Sequence, residues 1–161
     1  MSTLPLEPQQ TATRKRVTAP SVKAMKGVEQ IAMLKEFGAD LTKVIIGHLG
    51  DRRGVHHLLP IAEKGVWLEV DNIGYLDYQP ESVRADNVAA LVKEGFSNRV
   101  LLSEDICMMN HLKFNGGKGY GYLLEVFLPM LRQRGVKDEA IHKMLVTNPA
   151  RAFARKVKHA R

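Results

Sequence analysis

The sequence predicts an α/β fold, with parallel strands in one sheet and helices packed on its outer face. Three short apolar runs, at residues 44–46, 66–70 and 99–102, are rich in the β-branched and large apolar residues that buried strands use. Helical apolar periodicity separates these runs, so strands and helices alternate along the chain. Such alternation favours parallel neighbours joined by right-handed crossovers.

The helices that precede the three strands are predicted at residues 27–37, 53–64 and 81–94, where apolar residues recur with helical spacing. Glycine ends each of them, and glycine readily adopts the left-handed conformation that closes a helix. These closing residues are Gly38, Gly65 and Gly95. The helix–glycine–strand unit is therefore repeated three times.

A polar residue follows each predicted strand: His48 after the first, Asp71 after the second and Asp105 after the third. Catalytic groups of parallel α/β proteins lie at the carboxyl ends of the strands. Imidazole and carboxylate are also good ligands for divalent metals. We therefore expect one edge of the sheet to carry polar chemistry, with Asp51 as a further candidate beside His48.

Each of these residues also has an ordinary structural interpretation. A single histidine near a strand is more often a hydrogen-bonded core residue than a ligand. An aspartate after an apolar run often caps the next element. The repetition at three successive strand ends is what favours a functional site.

The chain after Asp105 is predicted to contain a long loop and then two or three helices. The loop, residues 107–121, is rich in glycine, and its length suggests a flexible loop or lid over a substrate. Asp138 is predicted to cap a helix, and Asn148 to cap the last one, with Pro149 at its first position. An apolar stripe precedes them, made of Leu124, Phe127, Leu128 and Leu131.

Composition is that of an ordinary globular domain of 161 residues, with 45% hydrophobic and 25% charged residues. The formal net charge of +7 reflects basic clusters near both termini, where Phe153 is the single aromatic residue. We interpret these clusters as solvated ends and expect neither nucleic-acid nor membrane binding. The single cysteine, Cys107, fits a reducing compartment and hence the cytoplasm. Residues 1–20 are predicted to be a disordered leader before a domain at 21–161.

Three other features give weaker signals. His56 and His57 are adjacent on a predicted helix and are interpreted as surface residues, because neighbours in sequence do not share a helical face. The Gly-rich run at 116–120 lacks the spacing of a nucleotide-binding loop. Cys107 has no evident base beside it, which argues against a nucleophilic role.

Several stretches together resemble the phosphotriesterase family of the amidohydrolase superfamily, which includes phosphotriesterase-related proteins and lactonases. The resemblance extends from about Gly27 to the last helix. It rests on VIIGHLGD at 44–51, LEVDNIG at 68–74, RVLLSEDIC at 99–107, GGKGY at 116–120 and TNPARAF at 147–153.

This resemblance implies a TIM barrel with a two-metal site, usually zinc, that hydrolyses phosphotriesters, lactones or related esters. It implies that His48 ends the sixth strand and binds one metal ion. Asp105 would end the eighth strand, bind the other metal ion and take the proton of the bridging hydroxide. Asp51 and Asp71 match positions that relay this proton or orient the ligands.

The sequence also departs from the family pattern. A whole barrel needs about 250 residues, and only strands six to eight are clear, with a remnant of the fifth expected around residues 16–18. No His-x-His occurs, the bridging lysine is absent, and Pro20 stands where a ligand histidine is expected. Two ligands, His48 and Asp105, do not make a stable zinc site.

Two interpretations follow from these departures. The chain is either the C-terminal half of a metal-dependent hydrolase, with little activity alone, or a non-catalytic half-barrel remnant or assembly piece. In both cases, exposed sheet edges invite pairing with a second chain or with another copy in a homo-oligomer. The expected substrate, if the chain is active, is a small ester or lactone.

Overall fold

A computed structural model describes residues 18–19 and 24–154 of the chain. Four strands form one parallel sheet in the order β1-β2-β3-β4. They are β1 (Thr18–Ala19), β2 (Ile45–Ile46), β3 (Trp67–Val70) and β4 (Val100–Leu102). The α/β class and the parallel pairing predicted from the sequence are thereby confirmed.

The longest helices are α1 (Ala24–Glu36) before β2 and α3 (Glu81–Lys93) before β4. A short helix, α2 (Leu59–Ala62), precedes β3. After β4 come α4 (Leu128–Gln133), α5 (Asp138–His142) and α6 (Asn148–Phe153). No helix of the described residues is long and apolar enough to cross a bilayer.

The two faces of the sheet carry different side chains, because successive residues of a strand point to opposite sides. Ile46, Leu68 and Leu102 belong to the large core that the helices complete. Ile45, Trp67 and Leu101 form a smaller buried cluster on the other face. The side-by-side register, in which Ile45 lies next to Trp67, produces this layer.

Helix geometry differs from the sequence prediction in two regions. The region predicted as one helix at 53–64 contains a 3₁₀ turn at Val55–His57 and then α2. His57 was expected at the surface but is buried, because this turn directs it inward. A π-helical turn at Leu123–Phe127 shifts the apolar face by one residue. Leu124 is therefore exposed and Leu123 is buried in its place.

The predicted N-cap at Asn148 is also wrong. Asn148 continues a helical path that began with α5, through a π-helical turn at Lys143–Thr147. Its side chain is fully buried, and Nδ2 donates to the carbonyl oxygens of Ser97 at 2.8 Å and Val100 at 2.7 Å. The side-chain amide therefore connects α6 to β4 through hydrogen bonds and does not cap a helix.

The predicted leader lies mostly outside the described residues. Thr18 and Ala19 form β1, which pairs with Ile45 and Ile46 of β2. This strand overlaps the expected remnant of the fifth barrel strand around residues 16–18. Pro20 and most of the basic residues near the termini lie outside the described residues, so the boundary at residue 20 stays a prediction.

Candidate active site

Three residues just beyond the strands share an unusual backbone conformation. His48, Asn72 and Asp105 have φ values of 57°, 58° and 51°, and they follow β2, β3 and β4 respectively. Non-glycine residues in the left-handed region cost free energy, and they concentrate at functional sites. A left-handed φ thus recurs at the same edge of the sheet after three successive strands.

His48 and Asp71 are joined by two contacts at this edge. The backbone N–H of His48 donates to Asp71 Oδ2 at 3.1 Å, and His48 Nδ1 lies 2.9 Å from Asp71 Oδ1. The carboxylate thus holds both the backbone and the imidazole ring of His48. Metal-binding and proton-transferring histidines have one ring nitrogen on a carboxylate in this way.

The charges of this edge shift the pKa values of the pair. Burial raises the pKa of Asp71 to about 6, although the adjacent His48 opposes this rise. Burial alone lowers the pKa of His48, but the attraction of Asp71, Asp105 and Asp51 outweighs it and raises the pKa. Asp105, which is exposed, therefore lies close enough to His48 to act on its charge.

Asp51 lies in a second group of contacts with Asn72 and Arg84. Asn72 Nδ2 donates to Asp51 Oδ2 at 2.6 Å and lies 3.3 Å from His48 Nδ1. Arg84 Nε and Nη2 donate to Asp51 Oδ1 at 3.0 and 2.7 Å. Three hydrogen bonds, two of them from a guanidinium, fix the position of the Asp51 carboxylate. This geometry suits Asp51 to positioning better than to proton relay.

Arg84 is completely buried and has a partner for each of its five N–H groups. Besides the two bonds to Asp51, Nη1 donates to the carbonyl oxygen of Gln79 and to Glu81 Oε1. Nη2 also donates to the carbonyl oxygen of Tyr75. Gly50 makes room for it, since a Cβ there would lie 3.2 Å from Arg84 Cγ. One guanidinium therefore joins the loop after β2 to the loop after β3.

Sequence reasoning did not single out Asn72 or Arg84. The signal for Arg84 was present, because it shares a helical face with the apolar residues Val88 and Leu91. An arginine in an apolar stripe needs a buried anion. Asn72 follows Asp71 directly, and only its backbone conformation turns its amide towards Asp51.

The residues of this edge do not make a complete metal centre. Within residues 18–19 and 24–154 there is no group of three or more His, Cys, Asp or Glu side chains placed to hold one metal ion. His48 and Asp105 supply two donors of the kinds that zinc accepts, but stable zinc sites have at least three protein ligands. The donor set therefore does not fit the metal centre that the family resemblance implies.

A parallel α/β sheet with polar groups at the carboxyl ends of its strands is the arrangement of barrel-type and open-sheet enzymes. The chain belongs to the phosphotriesterase family, whose model matches residues 8–153. It is 40% identical over 127 residues to the phosphotriesterase homology protein of Escherichia coli (strain K12), a match that covers 79% of this chain and 44% of that protein.

Two further similarities extend this result. The N-acetyltaurine hydrolase of Danio rerio is 34% identical over 136 residues, which cover 77% of this chain and 39% of that protein. The crystal structure of the E. coli phosphotriesterase homology protein, which has phosphate in its active site, superposes with a TM-score of 0.82 at 37% identity. The superposition covers 88% of this chain and 49% of that one.

The chain thus spans less than half the length of the curated relatives it matches. Its four strands correspond to part of a barrel, as the sequence resemblance implied. The family assignment and the partial-barrel fold are confirmed. The catalytic and metal-binding roles of His48, Asp51, Asp71 and Asp105 stay predictions.

Proposed function

We propose that this chain carries the C-terminal part of a metal-dependent hydrolase site and has little or no activity alone. The observation that carries the proposal is the pair formed by His48 and Asp71 at the strand-end edge. The names of relatives agree with hydrolysis, since one acts on N-acetyltaurine. The substrate class proposed for this chain is a small ester, lactone or related compound.

Each residue has a role that follows from its contacts. Asp71 holds the imidazole of His48 in place, which is what a ligand or proton-transfer residue requires. Asp105 presents an exposed carboxylate near that imidazole and is the candidate for receiving a proton from the attacking water. Asp51, fixed by Arg84 and Asn72, supports the loop that contains His48.

The remaining ligands must come from another polypeptide segment, because the two donors present do not hold zinc. The sheet offers a place for such a segment at its outer strands, β1 and β4, which pair with β2 and β3 on one side only among the described strands. Parallel strand edges pair readily with further strands. We propose that a second chain, or a second copy of this one, covers these edges in the cytoplasm.

The experiment compares the chain alone with the chain supplied with the missing half. The segment of the E. coli relative that precedes the matched region is co-expressed as a separate polypeptide. Zinc content is measured by mass spectrometry, and hydrolysis is assayed with a lactone, an activated phosphotriester and N-acetyltaurine. We expect neither stoichiometric zinc nor turnover for the chain alone, and both for the complex.

The variants His48→Ala and Asp105→Ala should abolish turnover by the complex, whereas His142→Ala on the exposed face of α5 should not. Turnover by the chain alone at the level of intact relatives, lost in His48→Ala, would contradict the proposal. A stable complex without zinc or turnover would favour the alternative, a non-catalytic half barrel that serves only in assembly.

A further inference from the structure

Two arginines lie against one tryptophan at the amino end of the sheet. The guanidinium carbons of Arg99 and Arg151 are 5.0 and 5.7 Å from the centroid of the Trp67 ring. Both distances fall within the roughly 6 Å over which an aromatic face attracts a cation. Trp67 begins β3 and Arg99 directly precedes β4, so this group lies at the opposite end of the strands from His48.

The tryptophan ring is held in one position. Trp67 is only 2% exposed, and its Nε1 donates to the carbonyl oxygen of Thr42 at 2.9 Å. Ile45 and Leu101 pack beside it in the smaller buried cluster. A ring fixed in this way gives the two guanidiniums a rigid surface on which to stack.

One buried amide holds the backbone segments that carry the two arginines. Asn148 is fully buried and lies in α6, three residues before Arg151. Its Nδ2 donates to the carbonyl oxygens of Ser97 and Val100, which lie on either side of Arg99 in the chain. The pair of arginines is therefore built into the packing of α6 on β4.

Neither arginine of this pair forms an ion pair with a carboxylate of the residues that the structure describes. By contrast, Arg84, Arg132 and Arg134 each bond to an aspartate or glutamate. Arg99 is half-buried and Arg151 is exposed. Stacking uses the face of a guanidinium and leaves the N–H groups at its edge to bind an anion.

The spacing of the two guanidiniums limits the kind of anion. Because both lie against one ring, they cannot be further apart than the sum of their two distances from its centroid. Acidic residues two positions apart in an extended peptide point to the same side, about 7 Å from each other. That spacing lies within the limit, so one extended segment can place a carboxylate on each guanidinium.

The position of Arg99 indicates where such a segment comes from. β4 is the last strand of the described sheet and has a strand partner on one side only. Its other edge can pair with a further strand. If that strand joins in parallel, as the described strands do, its first residues lie at the amino end of β4, beside Arg99.

We propose that Arg99 and Arg151, held in place by Trp67, bind two acidic side chains of an extended polypeptide segment that joins the sheet at β4. The proposal rests on the proposed function in one respect, since the partner is the polypeptide that covers this edge. It assigns a task to the amino end of the sheet, away from the residues that are candidates for catalysis.

The test uses the fluorescence of Trp67, which is the single tryptophan of the chain. The full chain is titrated at low, constant ionic strength with the blocked peptides acetyl-GEGEG-amide and acetyl-GQGQG-amide, and with inorganic phosphate. We expect a saturable change with the acidic peptide, and roughly 3- to 10-fold tighter binding than with the neutral one. No saturable change, or equal affinity for the two peptides, would overturn the proposal. Tighter binding of phosphate than of the acidic peptide would also overturn it and assign the site to small anions.

Substitutions locate the binding. Arg99→Gln and Arg151→Gln each remove one guanidinium, and each should weaken binding of the acidic peptide by roughly 2- to 5-fold. Arg132→Gln is the matched control, because Arg132 is an exposed arginine that bonds to Asp138, and its affinity should equal that of the wild type. If Arg99→Gln is poorly folded by circular dichroism, Arg99→Lys replaces it, since lysine lacks the planar fork. Unchanged affinity in a folded variant at either position would refute the site.

The titration uses neither zinc nor a hydrolase substrate, so its result is independent of the co-expression experiment. Peptide binding without turnover by the co-expressed complex would contradict the proposed function and support this site. Turnover by the complex without peptide binding would support the proposed function and overturn this site.

Discussion

Arg84 donates two hydrogen bonds to one oxygen of Asp51, from Nε at 3.0 Å and from Nη2 at 2.7 Å. The other oxygen of Asp51 accepts from Asn72, which lies beside His48. A fully buried cation on α3 is therefore connected to the candidate active site through two side chains. The strand-end edge depends on this contact for its shape.

Replacing Arg84 should destabilise the chain strongly. Arg84→Met leaves the carboxylates of Asp51 and Glu81 without their buried cation, and breaking a buried pair costs about 3–5 kcal/mol. The free energy of unfolding, measured by urea denaturation, should fall by that amount. The control is Arg132→Met, which removes an exposed arginine bonded to Asp138 and should cost no more than about 1 kcal/mol. Equal losses in the two variants would contradict the central role of Arg84.

Because Asp105 has a left-handed backbone conformation, we expect its glycine variant to be more stable than its alanine variant, the reverse of the order inside a helix. At this position Asp105→Gly should be more stable than Asp105→Ala by about 1 kcal/mol, because alanine is strained at positive φ. Asp86, an exposed residue inside α3, is the control. There the alanine variant should be more stable than the glycine variant by about 1 kcal/mol. The measurement is the free energy of unfolding of the four variants in urea. If alanine were more stable than glycine at both positions, strain at Asp105 would be excluded.

His57 predicts a dependence of stability on pH. Burial, together with the charges of Arg52 and His56, lowers its pKa to about 4, so the folded chain keeps this imidazole neutral. The unfolded chain, with a histidine pKa near 6.5, binds more protons between these values. The contribution of neutral His57 to the free energy of unfolding is therefore complete above about pH 6.5 and is lost as the pH falls towards 4.

When the pH is lowered from 7 to 4.5, the free energy of unfolding should therefore fall by about 1–3 kcal/mol less in His57→Leu than in the wild type. Unfolding free energies at pH 4.5 and 7 measure the difference, with His56→Leu as the control at an exposed neighbour. A pH dependence identical to that of the wild type in His57→Leu would show that another group is responsible.

The buried amide of Asn148 predicts a fourth stability effect. Asn148→Ala leaves the carbonyl oxygens of Ser97 and Val100 without this donor, and the variant should lose about 2–3 kcal/mol of unfolding free energy. Asn98→Ala, at an exposed position next to Ser97, should change the unfolding free energy by less than about 0.5 kcal/mol. A loss confined to Asn148→Ala in thermal unfolding would support the anchoring of α6.

Much of the fold was predictable because strand and helix signals are local. The apolar runs at β2, β3 and β4, and the glycines that end the helices before them, appear at the expected places. The π-helical turns could not be predicted from periodicity. A π-turn contains one residue more than an α-turn, and this changes the buried face of the helix while the apolar pattern of the sequence stays the same. This insertion is why Leu123 is buried in place of Leu124.

The candidate site was predictable in its location and not in its connections. His48, Asp71 and Asp105 follow successive strands in the sequence, and parallel strands necessarily bring such residues to one edge. The contacts of Asp71 with His48 and of Arg84 with Asp51 arise only when the chain is folded. These pairs join residues 23 and 33 positions apart. Partners at that separation depend on helix packing and on strained turns, which no local pattern encodes.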